Sequence, residues 1–409
     1  MSFPPWDATE DPLQRAPFGS AGGSLRVRTW HSSRSATTAV PPSSPTRMAM
    51  PKHDWASLRE IATVLTEAGH RTKRGSEMTP VNRQGHFRGI VGNEVIVRTT
   101  VSWLLVTRRA PCSVPTMDTK TFSIRTPDGR DLRIESGGDA SGRPALVHGG
   151  SPNSRHLADS WFADAESRGI HLISYDRPGY GGSTARPGRN VADCASDVRA
   201  IAGALGIDRM AVWGYSGGGP HALACAALLP DLVSAVATFA SLAPYDAPGL
   251  DYFTGMGQDN IDDVKLYLED PQAARIKSAK DREQILQVTA DALVGAWATL
   301  LSPADAAVLT GELASFMVTC LKDGLAPGDQ GWWDDGVAHI APWGFTFDAI
   351  QVPVQVWHGA HDKFVPFQHG QWLSEHIPGV DAHLTDTDGH LTLLVDRVPE
   401  VHAWLLQHE

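Results

Sequence analysis

The chain has 409 residues, 42% hydrophobic and 20% charged, a composition that suits a globular protein with a sizeable core rather than a fibrous or disordered one. Its longest apolar run, 95–106, falls short of the roughly 18–20 residues of a membrane span, and Cys112, Cys194, Cys225 and Cys320 lie far apart without the spacing of a disulfide framework or zinc site. The net charge of −11 divides unevenly: residues 1–116 carry 15 basic and 8 acidic side chains, whereas the remainder carries 20 and 38 and should repel nucleic acid phosphates. The opening MSFPPWDATEDP lacks the basic-then-apolar layout of a secretory signal, so a cytoplasmic protein acting on a small molecule, without membrane or nucleic acid partners, is expected.

In chain order, residues 1–116 read as an extension that is largely disordered, because the Ser/Thr/Pro-rich tract 31–51 cannot build a core. Within it, helical spacing of Trp55, Leu58, Ile61, Ala62 and Leu65 predicts a helix over 54–68, and a short strand is expected over 94–106. Ordered sequence begins at about 119, which makes Met117 a candidate natural start. The segments 119–127 and 131–138 straddle the turn Pro127-Asp128-Gly129-Arg130 and predict an antiparallel hairpin.

Apolar, β-branched runs then alternate with helical stretches. Strands are expected at 145–150, 171–176, 210–216, 233–241, 352–359 and 381–387, with helices at 154–168, 190–206, 217–229, 367–377 and 391–408. Strands buried on both faces and joined by helices specify a doubly wound, mostly parallel α/β sheet. Residues 247–345 are too long for a crossover and read as a helical lid, with helices at 259–270, 281–300 and 303–322. The expected catalytic core therefore comprises 117–246 and 346–409.

Gly214-Tyr215-Ser216-Gly217-Gly218 fits G-x-S-x-G between a strand and a helix. A turn this sharp needs glycines at its flanks, and it aims the Ser216 hydroxyl at a helix start whose free N–H groups favour developing negative charge. Such a glycine-rich turn is also compatible with a structural role or with phosphate binding. A serine hydroxyl needs an imidazole to take its proton, and the imidazole needs a carboxylate to fix its tautomer. His390, after the last strand, supplies the first. Asp362, after the strand 352–359, supplies the second, with Asp246 after the preceding strand as its rival. The loop His148-Gly149-Gly150-Ser151-Pro152 follows a strand and is expected to pair the N–H of Gly150, or alternatively Ser151, with that of Gly217 as an oxyanion hole.

These motifs resemble the α/β-hydrolase superfamily over residues 119–409: HGG at 148–150, YDRPGYGGS at 175–183, GYSGGGPHALA at 214–224, and the late Asp362 and His390. The resemblance is strongest to the branch that includes proline iminopeptidases, although that branch reads HGGPG where this chain has HGGSP. It implies a structural role for Asp176 and Arg177. Tyr215, Ser151 and Trp343 are expected to face the substrate, although the aromatic group Trp332, Trp333, Trp343 and Phe345 also suits a core. His358 and His361 fall where the fold explains their spacing without a metal. No cofactor is expected.

The carboxylate pairs Glu269-Asp270 and Asp334-Asp335 are candidates for binding a substrate ammonium. Glu269-Asp270 precedes Pro271 at a helix end and Asp334-Asp335 reads as a turn with Gly336, so both are expected at the solvated surface. The reading that follows is a serine hydrolase of small-molecule esters or lactones. An aminopeptidase, a lyase and a non-catalytic ligand receptor on the same fold are its rivals.

Overall fold

The computed structural model describes residues 119–408, and the helix expected at 54–68 and the strand at 94–106 lie outside them. The opening hairpin forms as β1 (Lys120–Arg125) and β2 (Asp131–Gly138), joined by a tight turn in which the Gly129 N–H donates to the Thr126 carbonyl at 2.9 Å. Gly129 has φ +85°, a conformation that glycine adopts without steric penalty.

The β2 strand runs antiparallel to β4 (Ile170–Tyr175); β3 (Arg143–His148), β5 (Met210–Tyr215), β6 (Val233–Phe239), β7 (Val354–Gly359) and β8 (Asp381–Thr385) complete one eight-stranded sheet. Its order is β1-β2-β4-β3-β5-β6-β7-β8, parallel from β4 to β8. Every residue of β5, β6 and β7 is buried. That is why these segments read as continuous apolar runs rather than alternating ones.

Helices cover both faces. One core layer packs α2 (Cys194–Leu205), α3 (Gly219–Leu228) and α10 (Phe367–His376) against the sheet through Val198, Ile201, Leu223 and Leu373. The opposite layer uses α1 (Asp159–Arg168), α11 (His390–Asp396) and α12 (Val398–Leu405), with Trp161 edge-on to Trp213 at 5.3 Å. The helix expected over 391–408 is two, because Pro399 near the start of α12 has no N–H to continue the preceding ladder. The helix expected from 154 begins only at Asp159, since residues before it are drawn into loop contacts such as Ser154 N–H to the Cys320 carbonyl at 3.2 Å.

Between β6 and β7 stand six helices: α4 (Gln258–Glu269), α5 (Pro271–Ile285), α6 (Ala290–Ala296), α7 (Pro303–Val308), α8 (Gly311–Leu325) and α9 (Gln330–Ile340). The expected helix 281–300 is a composite of α5 and α6. Here α5 starts ten residues earlier, at Pro271, capped by the Asp270 carboxylate accepting from Ala273 N–H at 2.9 Å. The expected helix 303–322 breaks before Gly311, whose φ is +51°. The largest correction is α9, which takes up the supposed turn Asp334-Asp335-Gly336. Gly336 is there for close packing: a Cβ on it would lie 2.5 Å from the Tyr267 ring.

Candidate active site

The β5 strand ends at Tyr215, a single 3-10 turn covers Ser216–Gly218, and α3 begins at Gly219 with Pro220 in its first turn. Ser216 has φ +53°, which is strained for a residue with a Cβ and costs about 1–3 kcal/mol. Two flanking glycines make the turn possible. A Cβ on Gly214 would sit 2.5 Å from the Gly218 carbonyl oxygen, and one on Gly218 would sit 2.1 Å from that of His148. No side chain fits either contact, so the glycine crowding around Ser216 is a packing requirement of the turn.

Asp362 lies just past β7 and His390 opens α11. The His390 Nδ1 donates to Asp362 Oδ2 at 2.7 Å, while Asp362 Oδ1 accepts from the N–H groups of Phe364 and Val365 at 2.8 and 2.9 Å. The Phe364 ring stacks on the imidazole at 4.6 Å. Burial pulls the His390 pKa down, but the neighbouring Asp362 charge and hydrogen bond outweigh it and leave the value raised. Asp246, the rival acid, is exposed, whereas Asp362 is buried against the imidazole. Ser216 and His390 both line one cavity of about 490 Å³, together with Gly150, Ser151, Tyr215 and Gly217.

The loop 148–151 rests on this turn, since a Cβ on Gly150 would be 3.4 Å from Ser216 Cβ. Arg177 holds the loop from behind: its guanidinium donates to the carbonyls of Gly149 and Gly150, the latter at 2.7 Å, and to Ser151 Oγ at 2.8 Å. In a trans peptide the N–H points opposite to the C=O, so anchoring the Gly149 carbonyl turns the Gly150 N–H away from Arg177.

The expectation that Asp334 and Asp335 are solvated is overturned. Both are buried, and Asp335 anchors the loop through Arg177. Its carboxylate meets Arg177 and Arg189 at 2.6 Å each, accepts from Tyr180 OH at 2.9 Å, and accepts from Ser151 Oγ. Burial opposes its charge, yet the two guanidiniums hold its pKa well below the usual carboxylate range. Sequence reading missed this because Asp-Asp-Gly imitates a turn. A helix phase through Trp332, Asp335 and His339 was the available signal. The Gly217 carbonyl accepts from His339 Nε2 at 3.0 Å and His221 Nδ1 at 2.9 Å. Burial keeps both imidazoles neutral, His339 with its pKa lowered to about 4.

Tyr215 and Ser151 border the cavity, with Asn153 donating to the Tyr215 hydroxyl. Trp343 does not. It is buried in a core layer beside Phe345 and donates to the His339 carbonyl at 3.2 Å, because its indole needs an apolar bed with one acceptor. Trp332 is the member of that aromatic group that lines the cavity.

Most of the remaining wall comes from the insertion. Apolar side chains such as Met256, Ile285, Leu293, Trp297 and Met317 share it with Asp259, Asp263, Lys277 and Asp281. Lys277 Nζ pairs with Asp263 at 2.7 Å and with Asp281, and Asp259 accepts from Thr299 Oγ1 at 2.7 Å. These charged groups were not singled out in the sequence, although Lys277 and Asp281 stand at helical i,i+4 spacing. Glu269 and Asp270 do not border the cavity.

Among the described residues one cluster offers metal-type ligands. Cys225 Sγ lies 3.5 Å from His148 Nε2 and 4.0 Å from Cys194 Sγ, all three buried in the core away from the cavity lining. His358 is instead bonded to the Val365 carbonyl at 2.9 Å, and His361 is exposed. No helix of the described residues is long and apolar enough to cross a membrane.

Comparison with known proteins bears on the fold. Residues 144–286 match the family model for the alpha/beta hydrolase fold. A bifunctional esterase/perhydrolase from Acinetobacter calcoaceticus is 25% identical over 251 residues, covering 60% of this chain and 83% of that protein. An esterase from Rhodococcus sp. ECU1013 superposes with a TM-score of 0.53 at 20% identity, over 71% of this chain and 99% of that one. A thermophilic esterase from Thermogutta terrifontis gives 0.52 at 20% identity, over 71% and 100%. At these identities the structural likeness establishes the fold.

Proposed function

We propose that the chain is a serine hydrolase of the α/β-hydrolase superfamily, cleaving a small-molecule carboxylic ester or lactone through Ser216, His390 and Asp362. The observation that carries this reading is that His390, paired with Asp362 at 2.7 Å, lines the same cavity as Ser216 on its strained turn. In the first step Ser216 Oγ attacks the substrate carbonyl carbon as His390 Nε2 takes the hydroxyl proton. The carboxylate of Asp362 stabilises the imidazolium so formed. The oxyanion of the tetrahedral intermediate is held by the N–H groups of Gly150 and Gly217, each such donor contributing about 3 kcal/mol.

Collapse of the intermediate expels the alcohol, which leaves with the proton from His390. Water, deprotonated by the same imidazole, then attacks the acyl-enzyme and regenerates Ser216. The insertion walls the cavity and sets substrate shape, as a lid. An alcohol leaving group requires no ammonium recognition, and none of the four carboxylates first considered for that purpose borders the cavity. The likeness to an esterase/perhydrolase supports the same class. Asp259, Asp263 and Asp281 favour a second reading, an aminopeptidase, since only Lys277 offsets their charge in the cavity wall.

Fluorophosphonate labelling tests the mechanism: the wild type should be labelled and Ser216→Ala should not. Labelling that survives the substitution would sink it. Parallel kcat/KM measurements on a short-chain aryl ester and a prolyl arylamide separate the two substrate classes, with the ester expected to be the better substrate. Arylamide turnover that exceeds ester turnover, and falls in Asp263→Asn, would install the aminopeptidase instead.

A further inference from the structure

The helical insertion does more than wall the cavity. Its α7 helix delivers a fully buried carboxylate, Asp305, to the residue that opens α11. Asp305 Oδ2 accepts from the His390 N–H at 3.1 Å and from Ser302 Oγ at 2.8 Å; Oδ1 accepts from Leu391 N–H at 2.7 Å and Thr392 N–H at 3.2 Å. One side chain thus ties down three successive backbone groups beginning at His390. The approach is so close that a Cβ on Gly389 would lie 2.3 Å from Asp305 Oδ2. Thr392 Oγ1 closes the arrangement by accepting from Gly389 N–H at 2.7 Å.

We propose that Asp305 is a positioning residue for His390, through which the insertion sets the place and the charge of the general base. This rests on the serine hydrolase reading above and deepens it. The backbone anchor fixes where the imidazole starts, Asp362 fixes its rotation through Nδ1, and Phe364 covers its face. The charged and titratable groups facing His390 are Asp362, Asp305 and the buried His358, which lies 3.7 Å from Asp362. Asp305 adds to Asp362 in favouring the imidazolium over the neutral ring. Because α7 follows the cavity-lining residues Trp297 and Leu300, a shift of the insertion is transmitted directly to the base.

Two variants separate position from charge. Asp305→Asn keeps the shape but removes the charge and leaves the His390 N–H facing an amide NH2. The acid limb of its kcat/KM profile should move down by about half a pH unit or more, because the imidazolium loses a nearby anion. Its kcat should also fall by about 10- to 100-fold, the scale of a small misplacement of a catalytic group. Asp305→Glu keeps the charge on a longer stem, so its acid limb should stay in place while kcat falls.

Thermal melts identify which variants fold. Wild-type kcat and an unmoved acid limb in a folded Asp305→Asn would overturn the proposal, as would wild-type kcat in Asp305→Glu if that variant alone folds. Failure of both to fold would also count against it, since Asp305 would then serve the fold alone. A Ser216→Ala control keeps the two claims apart. Turnover surviving that substitution would remove the serine hydrolase reading, whereas an inactive control beside unaffected Asp305 variants would remove only the positioning role.

Discussion

Replacing Asp335 by asparagine isolates one charge in a buried polar cluster. The wild-type carboxylate is fully buried and serves Arg177, Arg189, Tyr180 and Ser151 at once. Asparagine occupies the same space but retains only one acceptor oxygen and no charge. Two guanidiniums, each almost fully buried, would then lose their counter-ion. Breaking a buried ion pair in this way costs about 3–5 kcal/mol, most of it from the stranded charge. For a unit of this size that is a fall of about 5–8 °C in Tm.

The neighbouring Asp334 provides the control. It accepts only from Gly188 N–H at 3.2 Å and Gln330 Nε2 at 3.0 Å, so Asp334→Asn should cost about 1 kcal/mol. Urea denaturation of the wild type and both variants measures the difference. The sign of its pH dependence is fixed by the depressed pKa of Asp335: its contribution is complete above the unfolded carboxylate value of about 3.9 and disappears only as pH falls through the much lower folded value. The gap between wild type and Asp335→Asn should therefore stay constant from pH 8 to about 5. Activity should fall at least about tenfold, because Arg177 no longer holds the Gly149 and Gly150 carbonyls firmly. A stability loss below about 1 kcal/mol, or equal losses in both variants, would refute the reasoning.

The same structure makes three shorter predictions. Asp362→Asn should lower kcat by about 10⁴-fold, as loss of the carboxylate partner does in such triads, while Asp246→Asn should leave it within about twofold; the reverse order in ester turnover assays would move the acid to β6. His390 must be neutral to accept a proton, and its pKa is raised, so kcat/KM should climb to its plateau through a midpoint above the ordinary imidazole value of 6.5. A midpoint below that value in a pH–rate profile would contradict the placement of Asp362 beside it. Gly218→Ala should abolish labelling by a fluorophosphonate even where the chain still folds, because its methyl would displace the His148 carbonyl and the loop that follows; undiminished labelling would show that the turn has slack.

The sequence alone carried the sheet and the identities in the turn around Ser216. Continuous, β-branched apolar runs at β5, β6 and β7 read as strands covered on both faces, and G-x-S-x-G between a strand and a helix reads as a tight turn. Asp362 and His390 were legible for the same reason: each follows a strand, at the edge where the sheet opens. These are local patterns, written in neighbouring residues. The insertion was not legible at that level, because its helices are short and take their boundaries from packing.

Asp334-Asp335-Gly336 has the composition of a turn, and only the contact of Gly336 with the Tyr267 ring and of Asp335 with two distant arginines makes it the middle of a helix. Trp343 and Trp332 are equally aromatic, and the side of the chain each occupies was decided by what packs around it. Asp305 stands 85 residues before His390 and carries no motif. A buried charge is stable only where partners converge on it, and which partners converge is a property of the folded chain. The residues that perform the proposed chemistry were therefore readable in sequence, whereas those that hold them in place were decided by tertiary structure.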